Sequence, residues 1–397
     1  MTTHQQLVRT LLRQGVLPPE WHEAVASVDR GLFIPEVFEG GDFTSDPEGW
    51  LRSVYADVPV VTQVNDGKPT PEGGFGLFTS SSTMPSIMLE MLALLDVREG
   101  RRVLEIGTGT GYHAAWLSHR LGARNVTSVE FDEAVLSTAV KNLNNSGHHP
   151  TTVLGNGHDG HPAGAPYDRI ICTCTVRNVP RAWLEQCPDG LIVTPWGSSY
   201  FSGSFLTLTV TDGRARGTFS GDPAFMWDRT ARPGAVPLGG IGRGEPGAPG
   251  MRSTTDIPPQ NVIQDAPAFF TGLSLTDVRY RWCQADDDSG EATLRFVTDD
   301  GRSWATVEYV PDAETYEVEQ HGPRPLWDEV RHEFLRWHDL GAPDRSRFGL
   351  SAVTGTGTDV GAGDDEQQVW LDDPHHVVAR AGTRMSPPAA CRPTARD

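Results

Sequence analysis

One stretch limits what this chain can fold into: Arg102-Val-Leu-Glu-Ile-Gly-Thr-Gly-Thr-Gly-Tyr112. Val103 to Ile106 read as a buried strand, Gly107, Gly109 and Gly111 as a tight turn, and the residues after them as a helix. Val126-Thr-Ser-Val-Glu-Phe-Asp132 reads as the next buried strand, ending in the acid Glu130. Together they make one β-α-β unit with the parts needed to hold a nucleoside. Glycines let the backbone approach a ligand, a helix N-terminus offers free N–H groups, and a strand-end carboxylate accepts ribose hydroxyls.

Which nucleoside binds is left open by the glycines alone. Gly109-x-Gly111-x-x-Ala114 satisfies the dinucleotide fingerprint, and a glycine turn that binds nothing is a further reading. Against NAD stands Glu105, an acid two residues before the first glycine. The order E-x-G-x-G-x-G, then a strand-end acid, resembles motif I of class I S-adenosylmethionine (AdoMet) methyltransferases. That resemblance implies that Glu105 faces the cationic end of the methionine moiety and Glu130 the ribose. The cofactor expected is AdoMet, leaving as S-adenosylhomocysteine (AdoHcy).

Composition narrows the class further. At 397 residues the chain is expected to hold two units. Its 43 Gly and 30 Pro point to cores joined by irregular segments. A net charge of −19 argues against nonspecific nucleic-acid binding, which needs phosphate-neutralising cations. The five cysteines (172, 174, 187, 283, 391) show no repeated spacing, so reduced structural thiols are expected and no metal site. His148, His149, His158 and His161 read as a solvated loop. No signal peptide and no apolar run of about 18 residues is seen, so a soluble, cytoplasmic chain without membrane contact is expected.

The elements follow from hydrophobic spacing. Residues 4–30 read as helical, broken at Pro18-Pro19, and 39–53 as an irregular insert. A strand is predicted over 53–61, a Gly/Pro loop over 64–78 and a helix over 84–95. Strands at 102–106, 126–130, 151–154, 169–174 and 190–195 then alternate with helices at 111–121, 132–146 and 180–186, as in a parallel sheet, with a further strand at 204–210. The predicted division is a helical and substrate-loop segment at 1–100, a nucleoside-binding core at 101–230 and a linker at 231–261. An accessory α+β unit at 262–372 and a disordered tail at 373–397 complete it. Within the accessory unit, strands lead to an amphipathic helix at 324–339 carrying Trp327, Val330, Phe334 and Trp337, then a closing hairpin at 349–353 and 368–371.

With these pieces placed, residues 5–215 resemble the protein-L-isoaspartate O-methyltransferase family. Val28-Asp-Arg-Gly-Leu-Phe-Ile-Pro35 is similar to its V-x-R-x-x-F-V-P signature, and Tyr55-Ala-Asp57 to its Y-x-D. Ser82-Thr-Met-Pro85 falls where the family has S-x-P before a helix. Ala165-Pro-Tyr-Asp-Arg-Ile-Ile171 and Pro188-Asp-Gly-Leu-Ile-Val-Thr-Pro195 match two later segments. The fold implied is α/β, a class I AdoMet-dependent methyltransferase with a Rossmann-like, doubly wound sheet, plus the smaller α+β C-terminal domain. Three features depart from the family. Thr83 stands at its catalytic-loop serine, Asn156 replaces the acid of its G-D-G motif, and Cys174-Thr-Val-Arg-Asn178 replaces small residues. With the extra domain, these departures argue against ordinary damaged-protein repair. The Val176-Arg177 turn, the Pro195-Trp196-Gly197 segment and the Gly217-Thr-Phe…Phe225-Met226 region resemble a subgroup that methylates an aspartate of a modified ribosomal peptide (lanthipeptide, lasso or graspetide).

The resemblance assigns roles residue by residue. Thr83, Ser82 and Asp57 are the catalytic candidates, with Thr83 also readable as a helix cap and Asp57 as a turn residue. Glu105, Gly107, Thr108, Gly109, Gly111, Glu130, Phe131, Asn156 and Gly157 are the cofactor set, with Asn156 also readable as an Asn-Gly turn. Ser81, Val176 and Arg177 are candidates for the substrate. The expected partner is a peptide, cyclised before methylation, whose aspartyl ester then closes to a succinimide. A general isoaspartate-repair methyltransferase, a noncatalytic peptide-binding scaffold and an NAD-dependent reductase remain as alternatives, and oligomeric state is left open.

Overall fold

The chain opens with helices because its apolar residues recur at helical spacing. Helix α1 (His4–Gln14) buries Leu7, Val8 and Leu11, starts with a capping box between Thr3 and Gln6, and ends at Gly15 in the left-handed region. After the proline pair comes α2 (His22–Ser27). The computed structural model describes residues 3–70, 76–233, 250–353 and 367–381.

Residues 37–54 are more regular than expected. They hold a short hairpin, β1 (Val37–Phe38) and β2 (Gly41–Asp42), and a helix, α3 (Pro47–Val54). Asp46 starts that helix by accepting the Gly49 N–H at 2.9 Å, and Pro47 occupies its first turn. The strand predicted from residue 53 therefore begins only at β3 (Val60–Val64), which pairs antiparallel with β4 (Phe78–Ser82). Helix α4 (Pro85–Leu95) follows directly.

Then comes the predicted alternation: β5 (Val103–Ile106), α5 (Tyr112–Leu121), β6 (Val126–Glu130), α6 (Glu133–Asn145), β7 (Thr151–Leu154), β8 (Arg169–Cys172), α7 (Arg181–Gln186) and β9 (Gly190–Trp196). These strands pair in parallel in the order β7-β6-β5-β8-β9. The order reverses between β5 and β8, so ligands are expected outside the carboxyl ends of those strands. β10 (Ser204–Thr211) and β11 (Arg214–Ser220) extend the sheet antiparallel.

The C-terminal region adds β12 (Met251–Thr255), α8 (Asp265–Ser274), β13 (Val278–Gln284), β14 (Ala292–Thr298), β15 (Trp304–Tyr309), β16 (Tyr316–His321), α9 (Leu326–Asp339), β17 (Phe348–Val353), β18 (Gln367–Leu371) and β19 (Val377–Ala381). Five of these strands form a separate antiparallel sheet, β12-β16-β15-β14-β13. Leu294, Phe296, Val307 and Val318 there share a buried core with Leu326, Trp327 and Val330 of α9.

Two boundaries differ from the sequence reading. The hairpin expected to close the accessory unit instead joins the main sheet, where β17 pairs with β11. Phe348, Leu350, Val369 and Leu371 pack there with Phe269 and Phe270 of α8, in the core that also holds Trp196 and Phe219. Residues 377–381, placed in the expected tail, are a strand on β18, while 382–397 lie outside the described residues. β12 falls within the predicted linker, α8 lies in the accessory unit where no helix is predicted, and 234–249 of the linker lie outside the described residues. α8 hid from the sequence because Pro267 and Gly272 interrupt it and it is buried from Pro267 to Ser274, with no polar face to show a period.

Candidate active site

At the reversal point the chain surrounds a cavity of about 770 Å³. One wall is the turn after β5. Gly107 has a φ of +93°, and a β-carbon there would lie 2.6 Å from Thr173 Oγ1. That hydroxyl donates to the Gly107 carbonyl at 2.8 Å, so the ends of β5 and β8 are tied together. A β-carbon on Gly109 would lie 3.3 Å from the Ser81 carbonyl. The turn thus presses against β4, and Thr108, Gly109 and Ser81 line one space. Gly111, at φ +86°, starts α5 behind them.

Glu130 and Phe131 line the cavity from the end of β6. Glu130 Oε2 accepts the Gly109 N–H at 3.0 Å, and Oε1 accepts those of Phe131 and Asp132 at 2.9 and 3.1 Å. Burial raises its pKa against the pull of these bonds. A carboxylate has about four acceptor sites. Three N–H groups therefore leave capacity for hydroxyls of a bound ribose. Phe131 is 51 % exposed and offers a flat apolar face at the mouth. Gly157 completes this end, with its carbonyl fixed by Trp183 Nε1 at 2.7 Å. Asn156 does not line the cavity; its Oδ1 accepts the His158 N–H at 3.1 Å in the Asn-Gly turn.

Glu105 is placed differently from expectation. It is 0 % exposed and does not line the cavity. Its Oε1 bonds His113 Nδ1 at 2.6 Å and its Oε2 accepts from Ser128 Oγ. Strand pairing puts Glu105 opposite Ser128, which is why the carboxylate is held beneath the turn. His113, in the first turn of α5, is the residue of this set that reaches the cavity.

The opposite wall carries hydroxyls. Ser80, Ser81, Ser82 and Thr83 all line the cavity. Arg30 holds them in place from below. Its buried guanidinium donates to the carbonyls of Val54, Ala56, Val58, Ser82 and Thr83 at 2.9–3.2 Å, with Ser82 Oγ at 3.4 Å. Burial lowers its pKa to about 10, so it stays cationic at neutral pH. Thr83 is not the cap of α4: the capping position is Met84, and the first free N–H is taken by Asp57, whose Oδ1 accepts from Ser86 at 2.9 Å. Asp57 does not line the cavity. Thr83 is thus free of the capping role and faces the same space as the glycine turn.

Val176 and Arg177, candidates for substrate contact, do not line the cavity either. Val176 is buried. Arg177 donates to the carbonyls of Ala231 and Thr276 and to Ser199 Oγ, lies 3.3 Å from Asp299 Oδ2, and stacks 5.1 Å from the centre of the Trp227 ring. It clamps a strap, residues 222–232, in which the sequence marks Phe225-Met226 only as a subgroup feature and gives no residue a role in the site. Asp222, Phe225, Trp227, Asp228 and Arg229 of the strap line the cavity. Arg229 reaches Asp132 Oδ2 at 2.8 Å, Gln63 Oε1 at 2.8 Å and the Thr79 carbonyl at 3.3 Å, joining the strap to the β3–β4 hairpin and to the start of α6. No local motif marks these arginines, since their partners lie far away in sequence.

Cys174 lines the cavity, with its sulfur 3.3 Å from that of Cys172. Both are free thiols. The bond with Cys172, together with burial, pushes the Cys174 thiol well above its ordinary value and keeps it protonated. His158 Nε2 lies 3.3 Å from Asp228 Oδ1. Among the described residues no group of three His, Cys, Asp or Glu could hold a metal ion, and no helix is long and apolar enough to cross a membrane.

A glycine turn, a strand-end acid and a hydroxyl-bearing wall around one cavity, at the switch point of a doubly wound sheet, define a class I AdoMet-dependent methyltransferase. Residues 2–207, more than half of the chain, match the family described as Protein-L-isoaspartate(D-aspartate) O-methyltransferase (PCMT), and the chain belongs to that family. It is similar to protein-L-isoaspartate O-methyltransferase of Methanosarcina mazei, 36 % identical over 198 residues that cover 48 % of this chain and 71 % of the relative. Protein-L-isoaspartate O-methyltransferase 2 of Archaeoglobus fulgidus is 32 % identical over 198 residues, 49 % of this chain and 78 % of the relative. A solved protein-L-isoaspartate O-methyltransferase shares the fold with a TM-score of 0.51 at 22 % identity, covering 88 % of this chain and 96 % of its own. That likeness of fold extends beyond the family segment.

Proposed function

We propose that the protein methylates the free carboxylate of an isoaspartyl residue in a peptide or protein. The observation that carries this reading is the shared cavity: Glu130 and the glycine turn line one side, Ser81, Ser82 and Thr83 the other. AdoMet supplies an electrophilic methyl on a sulfonium that leaves as the neutral thioether. A carboxylate is ionised at neutral pH, so no base is needed, and the chain's task is alignment. Thr83, with Ser82, orients the carboxylate by hydroxyl contacts. Arg30 and Asp57 act through them, holding the wall on which those hydroxyls stand. Glu130, Phe131 and Gly157 hold the nucleoside end.

A second reading narrows the acceptor to an ordinary aspartate of one modified peptide. It is supported by the strap at 222–232, which walls the cavity yet lies beyond the matched segment 2–207. There the aspartyl ester, once made, is attacked by the next backbone nitrogen. Methanol is expelled, and a succinimide forms without further help from the enzyme. Methyl transfer from labelled AdoMet to matched isoaspartyl, aspartyl and cyclised peptides separates the two readings. Mass spectra of a dedicated substrate should show gain of one CH₂, then net loss of one water. Persistence of the methylated species alone rules out the cyclisation step.

A further inference from the structure

We propose that His113 is the group that receives the α-ammonium of the donor's methionine tail, relaying to it the buried charge of Glu105. This rests on the reading of the cavity as the AdoMet site. Glu105 is fully buried, and no lysine or arginine pairs with it among the described residues; its one charged or chargeable partner is His113. A buried carboxylate without a cation is costly, and its charge asks for one. Direct contact is blocked, because the carboxylate is fully buried beneath the turn and does not line the cavity.

The bonds around Glu105 place a proton on the His113 nitrogen that faces it. Thr108 Oγ1 lies 2.7 Å from Ser128 Oγ, and Ser128 gives its own hydrogen to Glu105. Glu105 then accepts from His113 as well, so the imidazole carries its proton on Nδ1. In this proposal the ring is neutral, and its Nε2 is then an acceptor with no donor of its own. His113 is 6 % exposed, lines the cavity, and its Nε2 finds no partner within the protein. A buried polar atom left unpaired is an exception to be explained. Among the parts of the donor, the ammonium supplies both the missing N–H and the missing positive charge.

The test is calorimetry with three ligands on the full chain: AdoHcy, its deaminated analogue that keeps the carboxylate, and 5′-methylthioadenosine, which lacks the whole tail. In His113→Gln and His113→Leu, AdoHcy should bind about tenfold or more weakly, as for loss of a bond to a charged group. The other two ligands should bind as to wild type, which also shows that the variants fold. Glu105→Gln should weaken AdoHcy selectively in the same way. Equal losses for AdoHcy and the deaminated analogue would place His113 on the carboxylate and overturn the proposal. So would unchanged AdoHcy binding. If wild-type protein bound none of the three, the AdoMet reading itself would fail.

Discussion

Asp57 Oδ1 accepts the backbone N–H of Ser86 at 2.9 Å, so an acid from the far side of the β3–β4 hairpin starts the helix that follows Thr83. This frees the Thr83 hydroxyl for the cavity and ties its position to a residue that does not line it. Asp57→Ala should cost about 1 kcal/mol of stability as a lost cap. It should also lower kcat while leaving the AdoHcy Kd unchanged, because the nucleoside end lies elsewhere. Denaturant unfolding and calorimetry read the two effects separately.

Arg30 makes a stronger prediction. Arg30→Met removes the donors of five buried or half-buried carbonyls. The loss should be about 3 kcal/mol or more. Arg30→Lys should recover only part, since three N–H groups cannot serve the acceptors that a planar fork spans. A variant as stable as wild type in urea would remove Arg30 from the account.

The latch between strap and hairpin has a pH signature. Burial alone would raise the Asp132 pKa, but bonds from Gln63, Val135 N–H and Arg229 outweigh it and hold it at about 2, against 3.8 ordinarily. A depressed folded-state pKa adds stability above the unfolded value and loses it as pH falls through the folded one. The difference in stability between wild type and Asp132→Asn should therefore be flat from neutrality down to about pH 5, and shrink between about 4 and about 2. Acid titration of both proteins checks this. Arg229→Gln should reduce kcat/KM for peptide by about tenfold or more, through misalignment of the hairpin.

How much of this was legible beforehand depended on how local each signal was. Gly107, Glu130 and Thr83 announce themselves because strand, turn and helix follow one another in sequence. In sequence Glu105 reads as a cofactor contact, yet strand register turns it under the loop toward Ser128, and register is not written in any one strand. Family position assigns Asn156 and Arg177 to the ligands, while the structure spends the first on the Asn-Gly turn that is its other sequence reading and the second on clamping Trp227. Phe225-Met226 of the strap shows in the sequence as a subgroup feature, but the Arg229 latch does not, because its partners, Gln63 and Asp132, belong to elements far upstream. α8 was missed for the opposite reason: burial on all sides erases periodicity.

The thiols should be inert in the native enzyme. Burial raises the Cys187 pKa to about 12, and the Cys174 thiol is likewise pushed up. Reactivity follows the thiolate. Iodoacetamide at neutral pH should therefore leave Cys174 and Cys187 unmodified in peptide maps until the protein is unfolded. Rapid labelling of Cys174 in the folded enzyme would contradict its placement.

The most direct test of the central claim is transfer of labelled methyl from AdoMet to an isoaspartyl peptide by wild type and Thr83→Val. The account predicts a base-labile methyl ester formed by wild type, a rate at least about tenfold lower in the variant, and equal AdoHcy affinity in both. A base-stable product, or a Thr83→Val enzyme as fast as wild type, would contradict it.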